Sequence, residues 1–246
     1  MTEQKIFVKN LEIYYKTIGE GCPLLILHGW GSRSDYWINT ARLLAKNNIK
    51  VVIPDLPGFG KSNKPPMPWD LEEYSSFVEE FTKTVGLDKF HLLGHSFGGS
   101  LAIKFALKNS KINKLFLVGA SCIRKKTIKK KILLIASKIF KVLGYIPVIR
   151  KAFYKFIVKS DYPSAKGLMK KTYLNIIKED LTDKLEYIKN PTILIWGEKD
   201  STTPLKQGEF INSKIKGSEL IVIPGGMHDL ERQMPDILAK NILEKL

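Results

Sequence analysis

The 246-residue sequence has only two cysteines and no long apolar run, and both absences exclude classes of protein. Cys22 and Cys122 are too few for a disulfide framework and lack the spacing of metal ligands. The apolar stretches are short: Ile132 to Ser137, for example, lies between two lysines, so it does not predict a membrane span. Residues Met1 to Lys5 do not form an apolar signal region. We therefore expect a cytoplasmic protein without a metal site.

Acidic residues are also scarce, with 24 aspartates and glutamates against 40 lysines and arginines and a net charge of +16. From Cys122 to Lys189 there are 18 basic and 5 acidic residues, so this segment carries 13 of the 16 net charges. The segment could bind an acidic acyl carrier protein or rest on an anionic membrane surface, or its lysines could form a solvated face. No recognition motif accompanies the charge, so nucleic acid is not an expected partner.

The most informative stretch is Leu92 to Gly99, with the sequence LLGHSFGG. An apolar run ending at Gly94 predicts a buried strand, and the apolar spacing after Ser100 predicts a helix. The pattern Gly94-x-Ser96-x-Gly98 lies between them, where a sharp turn requires residues without bulk on both sides of the serine. We interpret Ser96 as an exposed nucleophile at a helix N-terminus, where backbone NH groups face a developing negative charge.

Strands alternate with helices along the chain, which predicts a mostly parallel sheet with helices on both faces. In such sheets the loops at the carboxyl ends of the strands build the site. Four of our candidates occupy such ends: Trp30, Ser96, Asp200 and His228. Trp30 belongs to the loop His28 to Gly31, whose two glycines let the backbone approach a ligand closely, although an ordinary turn also fits it.

A serine needs a base to take its proton, and the base needs an acid to orient it. Of the four histidines, only His228 follows a late strand in a loop of its own, and Asp200 is the acid after the strand before it. The order serine, acid, histidine is the one found with this type of turn. Asp229 and Glu198 remain alternatives for the acid, since both lie near the same edge.

Together these motifs resemble the α/β-hydrolase superfamily over nearly the whole chain, and they include Asp55 to Ser62 and Trp196 to Asp200. The resemblance implies an α/β-hydrolase fold with a mostly parallel sheet of about eight strands. It places the core in residues 1–121 and 188–246 and a helical cap in residues 122–187. It also implies that Ser96 is the nucleophile, His228 the base and Asp200 the orienting acid, with no cofactor. The remaining roles are an oxyanion hole of backbone NH groups from Trp30 and Phe97, and four pocket-lining candidates: His28, Gly29, His95 and Cys122.

The serine at position 96 disfavours the relatives that attack an alkyl carbon with an aspartate. We therefore predict a serine hydrolase acting on carboxylic esters or thioesters through an acyl-enzyme. The HGWG loop, residues 28–31, resembles that of the methyl ester esterases of biotin synthesis, which favours an acyl carrier protein as partner. Two alternatives stay open: a small-molecule receptor or slow-turnover sensor on the same fold, and a hydrolase of carbon–carbon bonds from the same superfamily.

Overall fold

The computed structural model describes residues 1–123 and 167–246, and an eight-stranded sheet forms its centre. The strand order across the sheet is β1-β2-β4-β3-β5-β6-β7-β8. Only the pairs β1–β2 and β2–β4 are antiparallel, so the sheet is mostly parallel, as predicted. The strands are Thr2–Val8 (β1), Leu11–Ile18 (β2), Cys22–Leu27 (β3), Ile49–Pro54 (β4), Phe90–His95 (β5), Ile112–Val118 (β6), Thr192–Gly197 (β7) and Glu219–Ile223 (β8).

The parallel half of the sheet fixes the position of the site. Strands β3, β5, β6, β7 and β8 run in one direction, so the loops that follow them leave the same edge. Most side chains of β3, β5, β6 and β7 are apolar and buried because helices cover both faces; Leu24 to Leu27, for example, have no exposed surface. The first hairpin turns at Lys9 and Asn10, which both adopt positive φ, as a tight two-residue turn requires.

Seven α-helices lie within the described ranges. They are Ile38–Ala45 (α1), Leu71–Thr84 (α2), Phe97–Ala106 (α3), Gly167–Ile176 (α4), Leu205–Lys214 (α5), Leu230–Gln233 (α6) and Pro235–Leu243 (α7). The sequence around the start of α2 predicts a capping box of Asp70 and Glu73 and a hydrophobic staple of Trp69 and Tyr74. The capping box is confirmed: Asp70 and Glu73 each accept a hydrogen bond from the other's backbone NH. The staple is present too, since the ring centroids of Trp69 and Tyr74 lie 5.1 Å apart.

Two helices differ from the sequence prediction. The spacing from Ser34 to Lys46 predicts one helix, but the chain forms a 3-10 helix, Ser34–Trp37, before α1 begins. Tightening of the first turn in this way is common at helix N-termini, where several NH groups have no intrahelical partner. Helix α5 is not predicted, because it holds few apolar residues and so shows little periodicity.

The apolar core lies on both faces of the sheet. One cluster packs α2, α3 and α5 on one face and includes Phe77, Phe81 and Trp196. The other packs α1 and α7 on the opposite face and includes Trp37 and Leu238. With both faces covered, the polar loops at the strand ends remain as the place for chemistry.

Residues 124–166, which hold most of the predicted cap and of the basic segment, lie outside the described residues. After them come α4 and a second 3-10 helix, Thr182–Tyr187, which leads into β7. The division into core and cap therefore stays a prediction. No helix in the described part of the chain has both the length and the apolar character needed to span a bilayer.

Candidate active site

Ser96 lies in the sharp turn between β5 and α3, as the motif predicts. Its backbone has φ 52° and ψ −114°, a conformation that non-glycine residues rarely adopt and that is found mostly at functional sites. The flanking residues Gly94 and Gly98 lie so close to other backbone atoms that neither position has space for a side chain. A Cβ on Gly98 would lie 2.0 Å from the carbonyl oxygen of Leu27, and one on Gly94 would lie 2.3 Å from the oxygen of Gly98. The turn therefore forms only without side chains at these two positions.

We expect Gly98→Ala to destabilise the fold by about 3 kcal/mol or more, because a methyl group would overlap the backbone of β3, which cannot move aside. The control is Gly225→Ala: Gly225, unlike Gly98, has positive φ, at 68°, and a Cβ there meets nothing within 4 Å. Backbone strain alone makes the control cost about 1 kcal/mol. Urea unfolding of both variants measures the difference, and equal losses would contradict the packing explanation.

The loops after β5, β7 and β8 bring Ser96, Asp200 and His228 together. Nε2 of His228 lies 2.9 Å from Oγ of Ser96, and Nδ1 lies 2.7 Å from Oδ2 of Asp200. An ionised carboxylate only accepts hydrogen bonds, so Nδ1 carries the proton and Nε2 presents its lone pair to the serine hydroxyl. This is the tautomer that a base for Ser96 requires.

The loop after β3 packs against the nucleophile turn. A Cβ on Gly29 would lie 3.2 Å from Nδ1 of His95 and 3.3 Å from Cβ of Ser96, so the backbone of Trp30 follows directly beside the serine. Phe97 is the first residue of α3, and its NH is among those that a helix leaves without an intrahelical partner. Both candidate oxyanion-hole residues thus border Ser96. Their aromatic rings also meet, with centroids 5.6 Å apart.

Comparison with known proteins agrees with this architecture. A family model described as the alpha/beta hydrolase fold matches residues 23–140. The pimeloyl-[acyl-carrier protein] methyl ester esterase of Nitrosospira multiformis is 25% identical over 264 aligned positions, covering 95% of this chain and 98% of that protein. A solved esterase structure from Exiguobacterium antarcticum superposes with a TM-score of 0.79 at 23% identity, covering 99% of each chain. This chain has the α/β-hydrolase fold.

A further relative matches only part of this chain. The soluble epoxide hydrolase of Corynebacterium sp. (strain C12) is 34% identical over 119 residues, which is 48% of this chain and 41% of that protein. The names of these relatives imply different reactions, so the fold does not by itself identify the reaction of this chain.

Several hydrogen bonds keep Asp200 in its ionised form. Burial by itself raises the pKa of this carboxyl group, but bonds from His228 and from Thr203 outweigh that effect and hold the pKa below its usual value. Its Oδ1 accepts two backbone hydrogen bonds, from the NH groups of Thr202 and Thr203, each 2.8 Å long. Oδ2 is left for His228 and for the hydroxyl of Thr203. The carboxylate therefore has a fixed orientation.

A cavity of about 290 Å³ opens beside Ser96 and His228. Two of the four pocket-lining candidates, Gly29 and His95, are among its lining residues. His28 is fully buried instead: it accepts a hydrogen bond from the NH of Leu56 on Nε2 and donates one from Nδ1 to the oxygen of Gly29. Burial lowers its pKa to about 4, so it stays neutral while it joins two loops. Cys122 is buried, and its carbonyl oxygen accepts a hydrogen bond from the NH of Leu181.

Three side chains of ligand type meet at one side of the cavity. The ligand atoms of His95, Asp229 and Glu231 all lie within 4.8 Å of one another. However, Nε2 of His95 lies 3.0 Å from the carbonyl oxygen of His228. A carbonyl only accepts, so this nitrogen carries a proton and has no lone pair for a metal. The arrangement therefore does not favour a metal site at this cluster.

Sequence reasoning missed three residues beside these groups. Thr203 fixes Asp200, and the short polar run that starts at an aspartate is a turn signal that could have indicated it. Gly119, with φ 50°, lies so close that a Cβ there would be 3.3 Å from both Asp200 and His228. Glu231 is buried beside His95, and no sequence signal distinguishes it from a solvated charge on a short helix.

Proposed function

We propose that this chain, with its α/β-hydrolase fold, is a serine hydrolase that cleaves carboxylic esters or thioesters through an acyl-enzyme on Ser96. The single observation that carries the proposal is the continuous hydrogen-bonded series from Ser96 through His228 to Asp200, at 2.9 Å and 2.7 Å. A hydroxyl, an imidazole with its lone pair on the correct nitrogen and a fixed carboxylate are the groups that acyl transfer requires.

The reaction follows from the geometry in two halves. Oγ of Ser96 attacks the carbonyl carbon while Nε2 of His228 takes the hydroxyl proton, and Asp200 stabilises the imidazolium. The negative oxygen that forms lies against the NH groups of Phe97 and Trp30. The intermediate expels the alcohol or thiol, which receives the proton from His228. Water then attacks the acyl-enzyme with His228 as base, releases the acid and restores Ser96.

The serine argues against chemistry at an alkyl carbon. A carboxylate that attacks an alkyl carbon forms an ester, which water can hydrolyse afterwards. Ser96 would instead form an ether, which has no carbonyl for water to attack, so the enzyme would not turn over. We therefore do not transfer the epoxide chemistry named for the Corynebacterium relative to this chain.

The choice of leaving group and partner depends on residues beyond the site. The Nitrosospira relative is named for a methyl ester on an acyl carrier protein. Together with the basic segment from Cys122 to Lys189, it supports an acidic carrier as the expected partner, in preference to an anionic membrane surface. Most of that segment lies outside the described residues. The acyl carrier protein therefore stays a predicted partner, and the substrate panel below includes a carrier-bound ester to test it.

The test is a substrate panel assayed with the purified full chain. We expect turnover of p-nitrophenyl acetate, butyrate and octanoate and of acyl thioesters, with the carrier-bound methyl ester losing rate as salt rises because exposed charges are screened. A β-diketone represents the carbon–carbon alternative. Turnover of the diketone alone would establish that alternative, and tight ligand binding without turnover of any substrate would establish the receptor.

A further inference from the structure

His95 lies at the centre of the site although the proposed reaction gives it no role. Its side chain is 3% exposed, and a Cβ on Gly29 would lie 3.2 Å from its Nδ1. Its ring centroid is 4.9 Å from that of His228, and its Nε2 donates a hydrogen bond of 3.0 Å to the backbone oxygen of the same residue. The imidazole of His95 thus lies beside the loop His28 to Gly31 and bonds to the backbone of His228. His95 also directly precedes Ser96 in the chain.

Behind His95 lies the carboxyl group of Glu231, whose side chain is 2% exposed. Its Oε2 lies 4.0 Å from Nε2 of His95 and accepts no hydrogen bond from the described residues. The carboxyl group of Glu231 is therefore either protonated or negatively charged beside the imidazole rings of His95 and His228. Glu231 also lines the cavity beside Ser96, which is where the substrate and the hydrolytic water would bind.

We propose that His95 and Glu231 are positioning residues for His228: His95 holds the backbone of the base, and the carboxylate of Glu231 stabilises the positive charge that His228 gains in the transition state. The inference rests on the proposed function, since it requires His228 to be the base. It adds a second negative group to Asp200: Oε2 of Glu231 and the backbone oxygen of His228 both lie within 4.0 Å of Nε2 of His95.

The charge states of the pair agree with this role. Burial, and then the nearby charge of His228, lowers the pKa of His95 to about 4, so His95 stays a neutral donor at physiological pH. Burial raises the pKa of Glu231 to about 7, and the charge of Asp229 acts in the same direction. The carboxyl group of Glu231 therefore changes its charge in the pH range where a histidine base works.

The groups that influence Glu231 come from three elements. The titratable and charged groups around it are His95 at the end of β5, His228 in the loop after β8, Asp229 at the N-cap of α6 and Arg232 on α6. The 3-10 helix Ser34–Trp37 packs on α6, and its only carboxylate, Asp35, is paired with Lys16 at 3.1 Å. Helices α1 and α7 also pack on α6, and they carry Arg42, Asp236 and Lys240. The largest effects on the pKa of Glu231 nevertheless come from its burial, its own backbone NH and the charges of Asp229, His228 and Arg232.

The decisive variant is Glu231→Gln, which keeps the shape of the side chain and cannot ionise. Below about pH 6 the wild-type carboxyl is protonated, so both proteins are expected to have equal kcat/KM. Above pH 8 only the wild type has the anion beside His228, and we expect its kcat/KM to exceed that of the variant by about 3- to 10-fold. Glu244→Gln, on an exposed carboxylate, serves as the matched control and keeps the ratio at one. A ratio that does not change with pH would overturn the proposal, whatever its value.

Urea unfolding and the turnover of the wild type distinguish a failure of this inference from a failure of the proposed function. A carboxyl group with a raised folded pKa adds stability that is complete below pH 4.5 and is lost as pH rises through about 7. Urea unfolding should therefore show the wild type losing stability relative to Glu231→Gln across this range, and a constant difference would overturn the role of Glu231. If the wild type has no turnover that depends on Ser96, the proposed function fails first and this inference fails with it.

The role of His95 has its own readout. His95→Gln keeps an NH donor near the position of Nε2, whereas His95→Leu removes it. We expect the leucine variant to lose at least about 10-fold more kcat than the glutamine variant, with similar KM, because the base and not the substrate is displaced. His91→Gln, at a buried histidine of the same strand outside the cavity lining, controls for the loss of a buried imidazole. Equal kcat in the two His95 variants would overturn the positioning role.

Discussion

Ser96→Ala is expected to lower kcat on p-nitrophenyl esters by about 10⁵- to 10⁶-fold, the loss that follows removal of the nucleophile from a serine, histidine and acid triad. Alanine has the same Cβ at the same strained φ of 52°, and the hydroxyl it lacks bonds to His228. Only the nucleophile is therefore removed, and the folded structure is kept.

The controls for this variant use the covalent intermediate. The thermal midpoint of Ser96→Ala should lie within about 2 °C of the wild type, because no packing is lost. Intact-mass measurement after mixing with an activated ester should show one acyl group on the wild type and none on the variant. If Ser96→Ala retained more than about 1% of the wild-type kcat, the assignment of the nucleophile would be wrong.

Asp200→Asn is expected to lower kcat by about 10⁴-fold, and the structure explains why the asparagine is forced into a harmful orientation. Oδ1 of Asp200 accepts two backbone NH groups, so the oxygen of an asparagine must occupy that position. Its NH₂ group then faces Nδ1 of His228 and donates to it. The imidazole is left with its proton on Nε2, where it points at Ser96 and cannot act as base.

Two neutralised carboxylates test whether the effect belongs to Asp200. Glu198 is exposed and accepts a hydrogen bond from the NH of Gly225, so Glu198→Gln should stay within about 3-fold of the wild type. Asp229, exposed and 3.8 Å from Arg232, is the other sequence alternative. A larger loss of kcat in Asp229→Asn than in Asp200→Asn would assign the acid to Asp229 instead. Measurement of kcat at saturating ester for the three variants decides between them.

The secondary structure follows closely from the sequence because it is set locally. The apolar run before Gly94 and the spacing after Ser100 depend on nearby residues, and the strand and helix they predict are present as β5 and α3. The order of strands and helices then implies which loops share an edge of the sheet. Helix α5 is an exception, because a segment with few apolar residues shows no helical periodicity.

The sequence alone does not identify which acidic residue orients His228. Glu198, Asp200 and Asp229 all follow late strands, so their positions in the sequence make each of them a candidate for the acid. The structure distinguishes them because only Asp200 has its carboxylate against Nδ1 of His228, while Glu198 bonds to Gly225 and Asp229 lies near Arg232. Which atoms meet depends on how two loops far apart in the chain approach each other across the sheet.

The sequence by itself thus determined the sheet, the sharp turn that carries Ser96 and the set of residues from which a base and an acid could come. Only the tertiary structure decided that Asp200 contacts His228, and that His95 and Glu231 are buried beside it. The physical reason is the range of the interactions. Apolar periodicity records the burial of each segment separately, whereas a hydrogen bond of 3 Å, or a carboxyl group with a shifted pKa, exists only once distant segments have packed together.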